Sequence, residues 1–353
     1  MMKPTAGSWS TITMPDGYLS NINHDLEYIR KVHNLPSDKQ GIANSCKIPW
    51  TSLNLDHKGR IFLCNCDGWL PYPVGLIEGF DSIEEVFNSP IAQAIQKSIT
   101  EKKFTYCVVD SCGIKIQNMI NEANGITLNV GIDMSCNLSC PSCRERVIMD
   151  SSSEYIEVRK KWIEKIVLWI RSAQDQTFNI MIGSNGEPFV SKIYLFFIEQ
   201  VQHLKNIRFN IRSNGSFLKT RLSELDTNFI SNIKKIEVSI DAATKTTYEK
   251  VRRGGRWDNL LENLGYLSSL NHVDKIGNFV VQISNYKEMK EFVYLCENYN
   301  MYANFSHLSD WGTWHNFSKQ CVHIPESPHY TELKEIMLDP IFKNHNLGIL
   351  QSI

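Results

Sequence analysis

The run Ile126-Thr127-Leu128-Asn129-Val130-Gly131-Ile132-Asp133 leads almost directly into Cys136-Asn137-Leu138-Ser139-Cys140-Pro141-Ser142-Cys143. The first part is rich in β-branched residues and reads as a strand. The second places three thiols on one short loop, spaced C-x3-C-x2-C. A [4Fe–4S] cluster ordinarily takes four cysteine thiolates. A local set of three therefore leaves one iron open to a substrate or cosubstrate. An open coordination position marks a working metal rather than a structural one, as zinc sites illustrate. The same spacing also admits zinc with a distant fourth ligand, or buried unliganded thiols.

Downstream, strand-like runs recur at 126–133, 178–183, 207–212, 235–241, 276–283 and 301–306, with helical stretches between them. The clearest helix is Glu154–Arg171, where Val158, Trp162, Ile166 and Trp169 form one apolar face. The stretches 193–204 and 288–299 follow the same pattern less cleanly. Alternating strand and helix predict an α/β fold with a parallel sheet covered by helices. Six such units over 123–306 fit a closed barrel or a three-quarter one, a partial (β/α)6 barrel, with an open doubly wound sheet as the alternative. In either fold the chemistry collects at the C-terminal strand ends. Polar residues fall there after every strand: the cysteine loop, Ser184–Pro188, Ser213–Ser216, Ser239 with Asp241, Asn285, and finally His307, Asp310, Trp311, Trp314 and His315.

Upstream, residues 1–45 are a polar extension with a possible short helix at His24–His33, and carry no recognisable function. Residues 46–122 hold a second set of cysteines, Cys46, Cys64, Cys66, Cys107 and Cys112. Thr51–Leu55 and Arg60–Cys64 flank a Gly59 turn and predict a β-hairpin. Ser82 and Ser89-Pro90 are start signals for helices reaching about Phe87 and Ile95. Five cysteines suffice for a complete, closed site, either iron–sulfur or structural zinc. Residues 307–353 read as a C-terminal segment and possible substrate lid. Its Ser306–Asn316 stretch is the candidate for substrate contacts, with His307, Asp310 or His315 as a proton acceptor. Cys296 lies on an apolar helical face and reads as a core thiol; Cys321 has no assigned role.

The formal net charge is −1, which removes any broad electrostatic case for nucleic acid or an anionic membrane. Met1–Gly17 has no apolar core of a signal peptide, and no apolar run approaches the ~20 residues of a membrane span. A cytoplasmic protein is expected, and ten cysteines in a reducing compartment argue for metal over disulfides. Two other classes fit less of the chain. A zinc-stabilised binding module leaves the Gly186-Glu187-Pro188 and Ser239-Ile240-Asp241 loops without a role. An electron carrier with two clusters has no need of six βα units.

Taken in order, these motifs resemble the radical S-adenosylmethionine (SAM) superfamily from about residue 122 to at least residue 290. Cys136, Cys140 and Cys143 match its cluster loop. Gly186-Glu187-Pro188 resembles the motif that meets the amino end of SAM, and Ser213-Asn214-Gly215 the turn after the third strand. Ser239-Ile240-Asp241 with Tyr248-Glu249-Lys250-Val251-Arg252 resembles a segment near the SAM ribose and carboxylate. The resemblance implies a [4Fe–4S] cluster, SAM as cosubstrate, a 5′-deoxyadenosyl radical that attacks an unidentified peptide or small molecule, and an electron donor such as a flavodoxin or ferredoxin. It suggests that Arg252 neutralises the SAM carboxylate and that Asp241 accepts from the ribose hydroxyls. Ser142 departs from the pattern, because many relatives carry an aromatic residue there. Cys46-Lys47-Ile48-Pro49-Trp50 and the cysteines after it resemble SPASM or twitch auxiliary-cluster modules, here placed before the barrel. By that resemblance an auxiliary [4Fe–4S] cluster takes Cys46, Cys64 or Cys66, Cys107 and Cys112.

Overall fold

The computed structural model describes residues 46–64, 73–107 and 125–352. The helix read at His24–His33, with Cys66 and Cys112, lies outside them. Nine strands form one sheet: β1 (Ser52–Leu55), β2 (Arg60–Phe62), β3 (Gly75–Leu76), β4 (Ile126–Val130), β5 (Phe178–Ile182), β6 (Ile207–Ser213), β7 (Ile233–Ser239), β8 (Asp274–Val281) and β9 (Tyr302–His307). Their order is β3-β2-β1-β4-β5-β6-β7-β8-β9.

The six expected strands are β4 to β9, each parallel to the next. They lie side by side in chain order. A doubly wound sheet reverses its order at a switch point; this one does not, so right-handed crossovers carry the helices to one face. The open-sheet alternative therefore gives way to a partial barrel. After α1 (Ile48–Thr51), α2 (Ile83–Phe87) and α3 (Pro90–Thr100) of the upstream region, helix α4 (Ser153–Ser172) joins β4 to β5 and α5 (Lys192–Val201) joins β5 to β6. Two short helices, α6 (Leu218–Glu224) and α7 (Thr227–Asn232), precede β7, α8 (Lys245–Val251) and α9 (Trp257–Ser268) precede β8, and α10 (Met289–Asn298) precedes β9. Ser152 and Ser191 cap α4 and α5 by accepting from backbone N–H groups of the first turn.

One core joins the helices to one face of the sheet. Trp169, Phe197 and Phe292 pack with Leu128, Ile180, Phe209 and Phe279, all fully buried. Phe279 stacks on Phe292 and Phe209 on Phe229. Alternate residues along each strand point the other way, onto a concave face.

The expected hairpin forms, with Asn54 opposite Phe62. It is continuous with the barrel: β1 runs parallel to β4, Leu55 opposite Val130. Upstream and downstream regions thus share one sheet. Gly59 (φ +76) leaves room for Trp162 of α4, whose Nε1 donates to Glu78 Oε1 at 2.7 Å. The helix after Ser89-Pro90, α3 (Pro90–Thr100), runs a turn beyond the expected Ile95 because Ile91, Ile95 and Ile99 keep one buried face going. Two shorter helices, α1 (Ile48–Thr51) and α2 (Ile83–Phe87), complete this region, and α11 (Tyr330–Met337) lies in the C-terminal segment.

Candidate cluster and cosubstrate site

The cysteine loop leaves the C-terminal end of β4 and is held from several sides. Asp133, fully buried, accepts from Tyr155 Oη at 2.6 Å, Met134 N at 2.9 Å, Ser135 Oγ at 3.2 Å and Ser191 Oγ. Cys136 N donates to Ile148 O at 2.7 Å, Ser139 N to Arg253 O at 3.0 Å, and Cys143 N to Cys140 O at 2.9 Å. The loop is preshaped by the protein.

The expected site residues converge on it. Glu187 N donates to Ser135 O at 2.8 Å. The Glu187 carboxylate is buried and accepts from Ser213 Oγ at 2.9 Å, Asn214 N at 2.6 Å and Phe189 N at 3.2 Å. Asn214 Nδ2 donates to Asn137 Oδ1 at 2.9 Å and lies 3.8 Å from Cys136 Sγ. Arg252 Nη1 lies 3.7 Å from Cys140 Sγ, and its Nη2 stands 2.8 Å from Asp241 Oδ2 as an ion pair. Asp241 Oδ1 accepts from Val280 N at 2.7 Å, and its backbone, at φ +60°, is fixed by Asn285 Nδ2 donating to its carbonyl. The Asp241 carboxylate thus holds Arg252 and the end of β8. Buried Pro188 completes the Gly-Glu turn, and Ser239 ends β7 opposite Asn278.

Arg144 was not singled out in the sequence. Its Nε lies 3.4 Å from Cys143 Sγ and its Nη1 donates to Met134 O at 2.7 Å. A cation directly after the third cysteine was the available signal.

Burial pushes the Cys136 and Cys140 thiols up; the Leu138 N–H pulls against it at Cys136 and Arg252 pulls against it at Cys140. Burial raises Glu187 to about 7 in spite of its three donors. Arg252 is held charged: Asp241 and Cys140 outweigh the burial that opposes it. Arg252 Nε is buried without an acceptor among the described residues.

This set fits the cluster and cosubstrate that the motifs imply. Three sulfurs with cationic and amide donors beside them suit an anionic iron–sulfur core. Among the described residues no group of three His, Cys, Asp or Glu side chains could hold a single metal ion, whereas a cubane takes its thiolates on separate corners. A buried carboxylate and a buried guanidinium with a spare N–H flank the loop and match an ammonium and a carboxylate.

Of the N-terminal cysteines, Cys46, Cys64 and Cys107 are among the described residues, and Cys64 sits at the other end of the sheet. β2 runs antiparallel to β1, so Cys64, just past β2, lies at the level where β1 and β4 begin. Asn54 Nδ2 donates to Cys64 O at 2.7 Å. Cys46 and Cys107 pack against the same pair, Ile99 and Phe104.

The C-terminal segment crosses the mouth. Thr313 Oγ1 donates to Pro141 O at 2.6 Å, on the cysteine loop, and Ile283 N donates to Gln320 O at 3.0 Å. Trp314 Nε1 and His323 Nδ1 are buried there without partners among the described residues. Trp311 and His315 are exposed, and Asp310 Oδ1 accepts from Gly312 N at 2.8 Å. His307 stacks edge-on to His323 at 5.3 Å. Cys321 is buried, and burial lifts its thiol to about 11. Cys296 is the core thiol expected, 1% exposed on α10.

Residues 134–295 match the family model described as the Radical SAM superfamily, so this stretch is a radical SAM domain. It is similar to the probable GTP 3′,8-cyclase of Saccharolobus islandicus, 23% identical over 171 residues, 48% of this chain and 53% of the relative. It is also similar to GTP 3′,8-cyclase of Synechocystis sp., 22% identical over 205 residues, 56% of each chain. The chain thus matches about half the length of these curated relatives. The crystal structure of Streptococcus suis SuiB bound to S-adenosylmethionine is 17% identical, covering 75% of this chain and 58% of that one at a TM-score of 0.44. Among the described residues no helix is long and apolar enough to cross a membrane.

Proposed function

We propose that this protein is an enzyme that reductively cleaves SAM and abstracts hydrogen from a bound substrate. The observation that carries the reading is a preshaped loop of three cysteines, one short of a closed cluster set, with buried Glu187 and largely buried Arg252 beside it. When bound, the cluster and SAM together supply a 5′-deoxyadenosyl radical that takes a hydrogen atom from the substrate. Cys136, Cys140 and Cys143 hold the cluster. Arg252, fixed by Asp241, compensates the cosubstrate carboxylate. Glu187 takes its ammonium, and Gly186 and Pro188 shape the turn that presents it. Ser213, Asn214 and Ser239 line the same strand ends, and Asp241 acts through Arg252 as well as toward the ribose.

Cys46, Cys64 or Cys66, Cys107 and Cys112 bind a second, closed [4Fe–4S] cluster in this reading. Bound there, it would supply an electron relay for a net oxidation, and a flavodoxin or ferredoxin would supply the reducing electron. Anaerobically purified protein, given SAM and dithionite, is expected to release 5′-deoxyadenosine, and Cys140→Ala is expected to abolish it. Release no greater than that of the variant would overturn the reading.

A further inference from the structure

We propose that the concave face of the sheet binds a small anionic group of the substrate, a phosphate or a carboxylate, and that Arg212 determines that specificity. The proposal rests on the cluster end being the catalytic end, and adds the substrate class.

Parallel strands buried on both faces read as continuous apolar runs, and closed barrels fill their interior with layers of branched apolar side chains. These strands alternate instead. Along β6, Phe209 and Ile211 are fully buried on the helix side, while Arg208 and Arg212 on the other face are exposed. β6 has paired strands on both sides, so an exposed arginine in mid-sheet means that the concave face is open. Arg212 keeps 45% of its side-chain exposure although Glu237 beside it keeps only 8%.

The guanidinium is fixed in place. Its Nε and Nη2 donate to Glu237 Oε2 at 2.9 and 2.7 Å, and Lys235 Nζ takes Oε1 at 2.7 Å. A ladder of amides backs the carboxylate: Asn278 Nδ2 donates to Glu237 Oε2 at 3.4 Å, Asn304 to Asn278 at 2.7 Å and Asn346 to Asn304 at 2.6 Å. Arg212 Nη1 is left for a ligand. Arg208, Arg212 and Lys235 stand against Glu237 and, at the far strand end, Asp274, so the face carries a cation in excess. Arg212 directly precedes Ser213, which donates to Glu187. Arg212 thus stands at the same end of β6 as the cosubstrate residues, with its side chain on the opposite face from that of Ser213.

The test titrates the anaerobically reconstituted full chain with inorganic pyrophosphate and, separately, with citrate at fixed ionic strength, following the melting temperature. Stabilisation by pyrophosphate alone assigns a phosphate, and by citrate alone a carboxylate. Arg212→Gln is expected to weaken the bound anion about 10-fold or more, as the loss of a charge-assisted contact implies. Arg171→Gln, at the exposed end of α4, is expected to bind as wild type. Arg212→Lys keeps the ion pair with Glu237 and is expected to bind between the two, which guards against a variant that merely misfolds. No stabilisation by either anion, or wild-type binding by both Arg212 variants, overturns the proposal. Release of 5′-deoxyadenosine by wild type, measured in parallel, reports on the cleavage reading alone.

Discussion

Gly186 has no room for a side chain. A Cβ there would meet Ser135 O at 2.7 Å and Asp133 O at 2.9 Å, both backbone atoms of the run into the cysteine loop. Backbone held by the buried Asp133 carboxylate does not yield, so Gly186→Ala should cost about 1–3 kcal/mol and displace the loop. The expected result is a lower melting temperature together with a loss of bound iron, measured by iron and sulfide analysis. The next residue carries a pH dependence. Burial raises Glu187 from 4.5 to about 7, so the native state holds a proton there that the unfolded chain has released. The stability tied to that proton is complete below about pH 4.5 and is lost as pH rises through about 7. Glu187→Gln mimics the protonated form. In metal-free protein the wild type should lose up to about 3 kcal/mol relative to this variant between pH 5 and pH 8. Denaturant unfolding at the two pH values checks it, and a gap that does not move refutes it.

At the scale of elements, the ladder from Arg212 to Asn346 crosses four strand positions and depends on one carboxylate. Burial opposes the charge on Glu237, but Arg212 and Lys235 outweigh it and hold Glu237 at about 2. The sign is the reverse of that at Glu187. The contribution is present above about pH 4.5 and is lost as pH falls toward 2. Glu237→Gln should therefore melt below wild type at pH 7, with the gap narrowing as pH falls from about 4.5 toward 2. Strand and helix positions along β4 to β9 were legible because each depends on local alternation and apolar spacing. The cysteine loop, Glu187 and Asn214 were legible because they follow strand ends in order, and Arg252 because it ends the short helix after β7 in the order of the motif. Arg144 was not, since one cation after a cysteine has no period to reveal it. Nor was Thr313, whose contact with Pro141 spans 172 residues. Ser89-Pro90 marked the start of α3, but its expected end near Ile95 falls short because Ile99 extends the buried face by a further turn.

At the scale of the molecule, the continuity of the sheet matters most. The sequence divides near residue 122, with a cysteine-rich region before it and a barrel after it, and β1 crosses that division to pair along all of β4. Leu53, Leu55 and Ile61 belong to the same core as Leu128, Trp162 and Ile166. The concave face then lies between the cysteine loop at one end of the strands and Cys64 at the other, about 16 Å apart along a five-residue strand. Removing residues 1–122 would unpair the edge of β4 and expose Leu53's partners in the core. An unpaired strand edge beside exposed apolar surface templates aggregation. The fragment 123–353 is therefore expected to be insoluble or molten, although by the motif pattern alone it looks like a complete barrel. The full chain is expected to melt in one cooperative transition. Expression of the fragment, followed by near-ultraviolet circular dichroism and a thermal melt, distinguishes the cases. A soluble fragment with a cooperative melt close to that of the full chain would mean that β1 only decorates the barrel. Loss of both would mean that the N-terminal cysteines are built into the same folding unit as the loop at Cys136–Cys143.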